Sequence, residues 1–120
     1  MVNCSNQKYN IMRKVTQITV SNFLSGNSIN NGNTEVYSVA EHGFLGFPKG
    51  DHWTILSLHG NDIAAMDSGS GEIFVSNAGW QTNTTKERLN GIPGVIIHQK
   101  DWLWYLNDEE WNGQWTKIQQ

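Results

Sequence analysis

The residues best suited to bind a ligand stand together, just before and within one predicted helix. Residues 84–88 (Thr-Thr-Lys-Glu-Arg) begin this helix, and Trp80 precedes it. A helix N-terminus presents unpaired N–H groups and the positive end of the helix dipole, to which Lys86 and Arg88 add charge. A Trp ring can stack against a planar ligand. We therefore predict a ligand-binding site formed by Asn77, Trp80, Asn83, Thr84, Thr85, Lys86 and Arg88.

The ligand that suits this set is small, planar and anionic, such as a nucleotide, or a short stretch of nucleic acid. The same residues also have an ordinary structural interpretation. Thr84 and Glu87 have the Ser/Thr-x-x-Glu spacing of a capping box, which would only start the helix. Glu87 in the first turn also disfavours an anion.

A surplus of aromatic residues supports a second binding hypothesis. The chain has six Trp in 120 residues. Trp102, Trp104 and Leu106 alternate along one predicted strand and so share one face of it. Trp111 and Trp115 flank an Asn-Gly turn and are predicted to pair across it. An exposed aromatic face suits stacked bases or a protein partner, whereas a buried one is core.

The alternative function is a protein–protein module that docks on another protein and inhibits it. Phe44, Leu45 and Phe47 in the glycine-rich loop 41–51 would be its anchor.

Catalytic and metal-binding patterns are missing from the sequence. Four His residues show no zinc-ligand spacing, and the single cysteine, Cys4, lies in a polar segment. Adjacent carboxylates at 108–110 in a turn point in different directions and are well solvated, so hydrolysis by them is a distant alternative. The segment 67–71 (Asp-Ser-Gly-Ser-Gly) lacks the strand–turn–helix context of a nucleophile elbow. We predict no enzyme activity, no catalytic residue, no metal and no cofactor.

Length and composition indicate one small domain. Residues 1–11 are polar and patternless and are predicted to be a loosely ordered leader, followed by a single domain at 12–120. The net charge of −3 gives no basic field to attract nucleic acid over the whole surface. One cysteine and the lack of a long apolar run predict a cytoplasmic protein without a membrane partner. Small sheets with an open edge often pair across a two-fold axis, so we also expect a homodimer.

Two short helices are predicted to position these residues. The first runs from Thr16, as its cap, to Leu24, with Val20, Phe23 and Leu24 on one face and Gly26 ending it. Residues 25–33 are predicted to be a loop. The second helix starts at the capping box, has Leu89 and Ile92 inside, and is ended by Gly91 or Gly94.

Strand patterns fill most of the remaining chain. The clearest is 52–60, in which Trp53 and Ile55 face one way and Leu56 and Leu58 the other. The turn at Gly60 predicts a hairpin with the next strand. The predicted strands are 34–40, 52–60, 63–66, 72–77, 95–100, 102–107 and 114–118. Separate groups of helices and antiparallel hairpins predict an α+β fold with about six or seven short strands.

The sequence resembles a family of small proteins encoded in bacteriophage genomes. The resemblance covers roughly residues 12–116 and implies a viral accessory protein with a compact β-rich fold, but no activity and no site. For a viral protein, the partner that it docks on and inhibits would be a host protein, its compartment would be the host cytoplasm, and counter-defence would be one such role. The leader 1–11 and the insert 41–51 depart from the pattern. The blocks that carry the resemblance are LHGNDIA (58–64), NAGW (77–80), TTKERLN (84–90), HQK (98–100) and WYLNDEEWNG (104–113).

Overall fold

The computed structural model describes residues 13–39 and 52–118. The leader 1–11 and the loop 41–51, with Phe44, Leu45 and Phe47, lie outside the described residues. Within the described parts the chain forms two helices and nine short strands. The helices are α1 (Lys14–Ser25) and α2 (Asn83–Asn90). The strands are β1 (Ile29–Asn31), β2 (Thr34–Val39), β3 (Trp53–Leu58), β4 (Asn61–Asp67), β5 (Ile73–Val75), β6 (Ile97–Lys100), β7 (Leu103–Leu106), β8 (Glu109–Glu110) and β9 (Thr116–Lys117).

The strands form two antiparallel sheets. The larger sheet has the order β1-β2-β3-β4-β5-β9, and the smaller has the order β6-β7-β8. The predicted α+β class and antiparallel pairing are confirmed. The strands outnumber the six or seven predicted and divide into two sheets, because strand patterns do not show which edge a later strand will join. Here β9 returns to the edge of β5, far away along the chain.

Strand β3 is the centre of the fold and is buried on both faces. Leu56 and Leu58 belong to the main core, which also contains Phe23 of α1. Trp53 and Ile55 belong to a second cluster on the opposite face of the sheet. The predicted division of these side chains between two faces is therefore confirmed.

Helix α1 begins earlier than predicted and orients one residue differently. Its N-cap is Arg13, so the prediction that Thr16 caps the helix is wrong. Thr16 is buried inside the helix, where its hydroxyl donates to Glu87 Oε1 at 2.6 Å. Gly26 ends the helix with φ 76°, as predicted. Leu24, predicted to share a face with Val20 and Phe23, is exposed, whereas those two residues are buried.

The predicted loop 25–33 contains strand β1. Ile29 pairs with Val36, so this segment adds an edge strand to the sheet. The strand consists of one Ile and two Asn residues and has no hydrophobic alternation, which is why its pattern is invisible in the sequence.

The N-cap of helix α2 is Thr82, and the predicted capping box of Thr84 and Glu87 is wrong. The Thr82 hydroxyl accepts a hydrogen bond from the backbone N–H of Thr85 at 3.1 Å. Glu87 instead extends to α1, where its Oε2 accepts from Arg13 N at 3.1 Å. Thr82 and Thr84 are equally able to cap a helix, so contacts with distant parts of the chain decide which of them does so. Gly91 ends α2, and the inward positions of Leu89 and Ile92 are confirmed.

The C-terminal Trp residues differ from the prediction. Trp102 lies in the turn before β7 with φ 73° and is 88% exposed, whereas Trp104 is buried. They do not share a face, because the turn removes Trp102 from the strand alternation. The predicted pair of Trp111 and Trp115 is also wrong: the ring of Trp111 lies 6.4 Å from that of Trp104, and Trp115 packs against the second cluster.

Neither helix of the described residues is both long enough and apolar enough to span a bilayer.

Candidate functional site: a cleft beside Trp80

A small cleft opens between the β3–β4 hairpin turn, the segment after β5 and the start of α2. Its volume is about 180 Å³. The residues that line it are Leu58, His59, Asn61, Ile63, Asn77, Trp80, Thr82 and Thr85. Three separate parts of the chain thus contribute, and the sheet and α2 hold them together.

The hairpin contributes the apolar floor and one polar edge. Leu58 at the end of β3 and Ile63 in β4 are buried. Between these strands His59 and Gly60 both have positive φ, at 52° and 80°, as the tight turns of antiparallel hairpins require. This turn places the His59 ring and the Asn61 amide at the lip of the cleft.

Asn77 fixes the segment that carries Trp80. Its backbone N–H donates to Gly113 O at 3.0 Å, and its Oδ1 accepts from Gly79 N at 2.7 Å. Trp80 N then donates to Asn77 O at 2.8 Å. Ala78 and Gly79 take positive φ in between, which makes the segment a tight turn. The result is a Trp80 side chain that is 57% exposed although its backbone is well held.

Two amide groups at the cleft keep unused hydrogen-bonding capacity. Asn77 is buried, and within residues 13–39 and 52–118 its Nδ2 has no hydrogen-bond partner. Asn61 donates from Nδ2 to His59 O at 3.3 Å, and its Oδ1 has no partner in the same part of the chain. The cleft therefore offers one amide donor and one amide acceptor.

The cleft has no permanent charge. Its lining contains no carboxylate, Lys or Arg, and His59 is its one ionisable side chain. The His59 Nε2 lies 3.4 Å from Asn33 Nδ2. Asn33 Oδ1 accepts from Thr34 Oγ1 at 2.7 Å, which fixes the amide so that its Nδ2 faces the ring. Nδ2 is a donor, so the neutral His59 accepts at Nε2 and carries its proton on Nδ1.

Arg88 is directed into the protein and away from the cleft. Its side chain is buried, and its Nε donates to Thr34 Oγ1 at 3.0 Å. Its Nη1 donates to Thr16 Oγ1 at 2.9 Å and to the carboxylate of Glu87. This network joins α1, β2 and α2. Arg88 is thus a structural cation, because its buried guanidinium is directed to Thr34, Thr16, Glu87 and Asn33 inside the protein and not to the cleft.

The other predicted site residues of α2 also lie apart from the cleft. Lys86 Nζ donates to Gln99 Oε1 at 3.3 Å and lies 5.7 Å from the centre of the Trp104 ring. Asn83 and Thr84 form the first turn of the helix, but neither lines the cleft. Of the predicted site, the cleft therefore brings together Asn77, Trp80 and Thr85.

Sequence reasoning missed the hairpin side of the cleft and the true helix cap, Thr82. His59 looks like an ordinary strand-end histidine in the sequence, and nothing local relates it to Trp80. One available signal was that Leu58, His59, Asn61 and Ile63 all lie in the block LHGNDIA.

The other candidate chemistry does not assemble. Within the described parts, no three His, Cys, Asp or Glu side chains lie close enough to hold a metal ion. Asp108, Glu109 and Glu110 are all exposed, with Asp108 in a turn and the two Glu residues in β8.

Two short helices on antiparallel sheets, with a small uncharged cleft, define a small α+β protein. A family model described as Kyanoviridae Gp96 protein matches residues 12–118. The chain therefore belongs to this family of cyanophage proteins, and the resemblance to small phage-encoded proteins is confirmed. No curated protein and no solved structure matches the chain.

Proposed function

We propose that this phage protein is a non-enzymatic binding module that takes the planar ring of a nucleotide-like ligand into the cleft beside Trp80. The single observation that carries the proposal is the half-exposed Trp80 ring at an apolar cleft that is otherwise preformed. An indole held by a rigid turn can stack on a ligand ring without much loss of side-chain entropy.

The size of the cleft limits what it can hold. A cavity of ~150 Å³ accommodates benzene, and clefts for drug-sized molecules are roughly 300–1,000 Å³. A volume of about 180 Å³ therefore fits one ring system and little more. A sugar and a phosphate attached to that ring would remain outside.

The polar groups favour a heterocycle over a hydrocarbon ring. The Asn77 Nδ2 has no hydrogen-bond partner in the described residues, and a ring nitrogen or carbonyl oxygen would give it an acceptor. The Asn61 Oδ1 offers an acceptor for a ring amino group. Nucleobases present such donors and acceptors side by side on one edge.

A phosphate would contribute less than the ring. The backbone N–H groups of Asn83 and Thr84 at the start of α2 have no partner in the described parts of the chain and directly follow Thr82, which lines the cleft. They provide weak anion stabilisation through the helix dipole. Arg88 is engaged inside the protein and Lys86 contacts Gln99, so the anionic part of the expected ligand has less support than the planar part.

The test is a titration of the protein with nucleobases, nucleosides, nucleotides and short oligonucleotides, followed by calorimetry and by melting temperature. Removing a stacking partner costs ~1–3 kcal/mol per base, so Trp80→Ala should weaken binding roughly 5- to 150-fold. Ile96→Ala is the control, because Ile96 is also exposed and apolar but lies outside the cleft. Equal loss in both variants, or no ligand that stabilises the wild type at millimolar concentration, would overturn the proposal.

The same titration separates ring from phosphate. We expect a nucleoside and its monophosphate to differ in affinity by less than about tenfold, since a helix terminus contributes typically 0.3–1 kcal/mol. Phe44, Leu45 and Phe47, the anchor of the alternative docking on a host protein, lie outside the described part of the chain.

A further inference from the structure

The turn between β6 and β7 carries a Trp where neither the backbone nor the core favours one. Asp101 and Trp102 have φ 53° and 73°, the left-handed region that favours Gly, Asn and Asp. Three other turns with two successive left-handed residues, at 59–60, 78–79 and 107–108, have Gly or Asp in second place. The Trp102 ring is 88% exposed, so it stabilises no core.

A strained, exposed Trp suggests a role outside the folded monomer. Unfavourable backbone conformations concentrate at functional sites, and Trp is enriched among residues that anchor protein interfaces. The next residue, Leu103, is also exposed. The turn therefore presents an apolar projection at the tip of a hairpin.

We propose that the chain self-associates by placing Trp102 of one copy into the Trp80 cleft of a second copy. This inference rests on the proposed function, since it needs the cleft to accept a planar ring. The cleft has the size for one ring system and an apolar floor of Leu58 and Ile63. An indole is neutral, and a cleft without permanent charge takes it without desolvating an ion.

The polar atom of the indole also finds a partner. A buried indole N–H needs an acceptor, and the Asn61 Oδ1 at the cleft has none in the described residues. The tip itself is nearly neutral, because Lys100 and Asp101 stand next to each other before Trp102. Reciprocal use of the tip and the cleft by two copies would give a two-fold dimer. A ring ligand and the second copy would then compete for the same cleft.

The experiment is sedimentation velocity of the full chain up to about 1 mM, the weakest range in which a specific contact is measurable. The wild type should show a concentration-dependent dimer. Trp102→Asn keeps a residue suited to the left-handed turn and should weaken the dimer roughly 30-fold or more. Trp80→Ala should have the same effect. Ile96→Ala is the control, because Ile96 is exposed and apolar but lies outside both the tip and the cleft.

Complementation makes the test specific. Trp102→Asn retains the cleft and Trp80→Ala retains the projecting indole, so a mixture of the two forms one intact contact and should associate more tightly than either variant alone. A wild type that stays monomeric, a dimer that survives Trp102→Asn, or a mixture that associates no more tightly than the separate variants would each overturn the inference.

The two proposals fail in different ways. If Trp102→Asn binds a nucleoside and the wild type forms no dimer, the self-association is wrong and the ligand proposal stands. If the dimer depends on Trp102 but the protein binds no nucleobase, nucleoside or nucleotide, the ligand proposal is wrong and the self-association stands.

Discussion

Replacing Arg88 should cost more stability than any other single change of charge in the described part of the protein. Arg88→Met keeps most of the side-chain volume, so the loss comes from polar interactions and not from a cavity. The guanidinium bonds to Thr34 and Thr16, at 3.0 and 2.9 Å, disappear together with its contact to Glu87. Removing one partner of a buried ion pair typically costs 3–5 kcal/mol.

The position of Glu87 sets where in this range the effect falls. Its side chain is 26% exposed, so water can solvate part of the carboxylate once Arg88 is gone. Glu87 also keeps its bonds from Arg13 N and Thr16 Oγ1. We therefore expect a loss of about 3 kcal/mol, a large fraction of the 5–15 kcal/mol typical of a folded domain.

Urea denaturation followed by circular dichroism measures this loss. With a slope of roughly 1–3 kcal/mol per molar urea, the midpoint should fall by about 1–3 M. The control is Lys86→Ala, which removes one exposed hydrogen bond two residues earlier and should cost less than about 1 kcal/mol. An Arg88→Met protein within about 1 kcal/mol of the wild type would refute the network as a stabilising element. So would a double-mutant cycle with Glu87→Gln that gives no coupling.

Three further changes test other parts of the structure. Gly113 has φ 90°, and Gly113→Ala would place a Cβ 2.3 Å from Asn77 Nδ2, so both the melting temperature and the affinity for a ring ligand should fall. An unchanged ligand titration would contradict the role of Asn77 as the anchor of the cleft. Gly91→Ala would bring a Cβ to 2.6 Å from a methyl group of α1 and should cost about 1–3 kcal/mol in urea denaturation, which an unaltered midpoint would disprove. Burial, and then the hydrogen bond to Asp62, raise the pKa of Tyr37 above its usual value. The unfolded state then releases this proton from about pH 10 while the folded state retains it, so stability should fall as the pH rises above 10. Tyr37→Phe should flatten that decline in alkaline melting curves, and equal slopes would rule the pKa shift out.

Much of the fold could be read from local patterns. The alternating pattern of side chains identified β3 and its two faces, because successive side chains of a strand point to opposite faces whichever strand it pairs with. Gly26 predicted the end of α1, since a left-handed C-terminal position favours glycine in any helix. Leu89 and Ile92 were correctly placed inside for the same kind of local reason, namely helical spacing.

The candidate site was only partly predictable. Trp80 and Asn77 stand out by residue type and by nearness to a helix start, whereas His59 and Asn61 reach the cleft through the pairing of β3 with β4 and the position of β5 beside β4. Pairing of distant segments depends on long-range contacts, which no local pattern specifies. The same limit explains the missed strand β1 and the separate sheet of β6, β7 and β8.

Local patterns in the sequence suffice to predict a small α+β protein of antiparallel strands, rich in Trp, with a helix start next to Trp80. What each charge and each ring does depends on contacts between distant parts of the chain. A cation at a helix start looks the same in sequence whether it meets solvent or, like Arg88, two buried Thr hydroxyls from distant elements. Likewise, two residues of spacing put Trp102 and Trp104 on one face only if the strand is continuous. A turn at Trp102 breaks that condition, which leaves one indole in the core and the other in solvent.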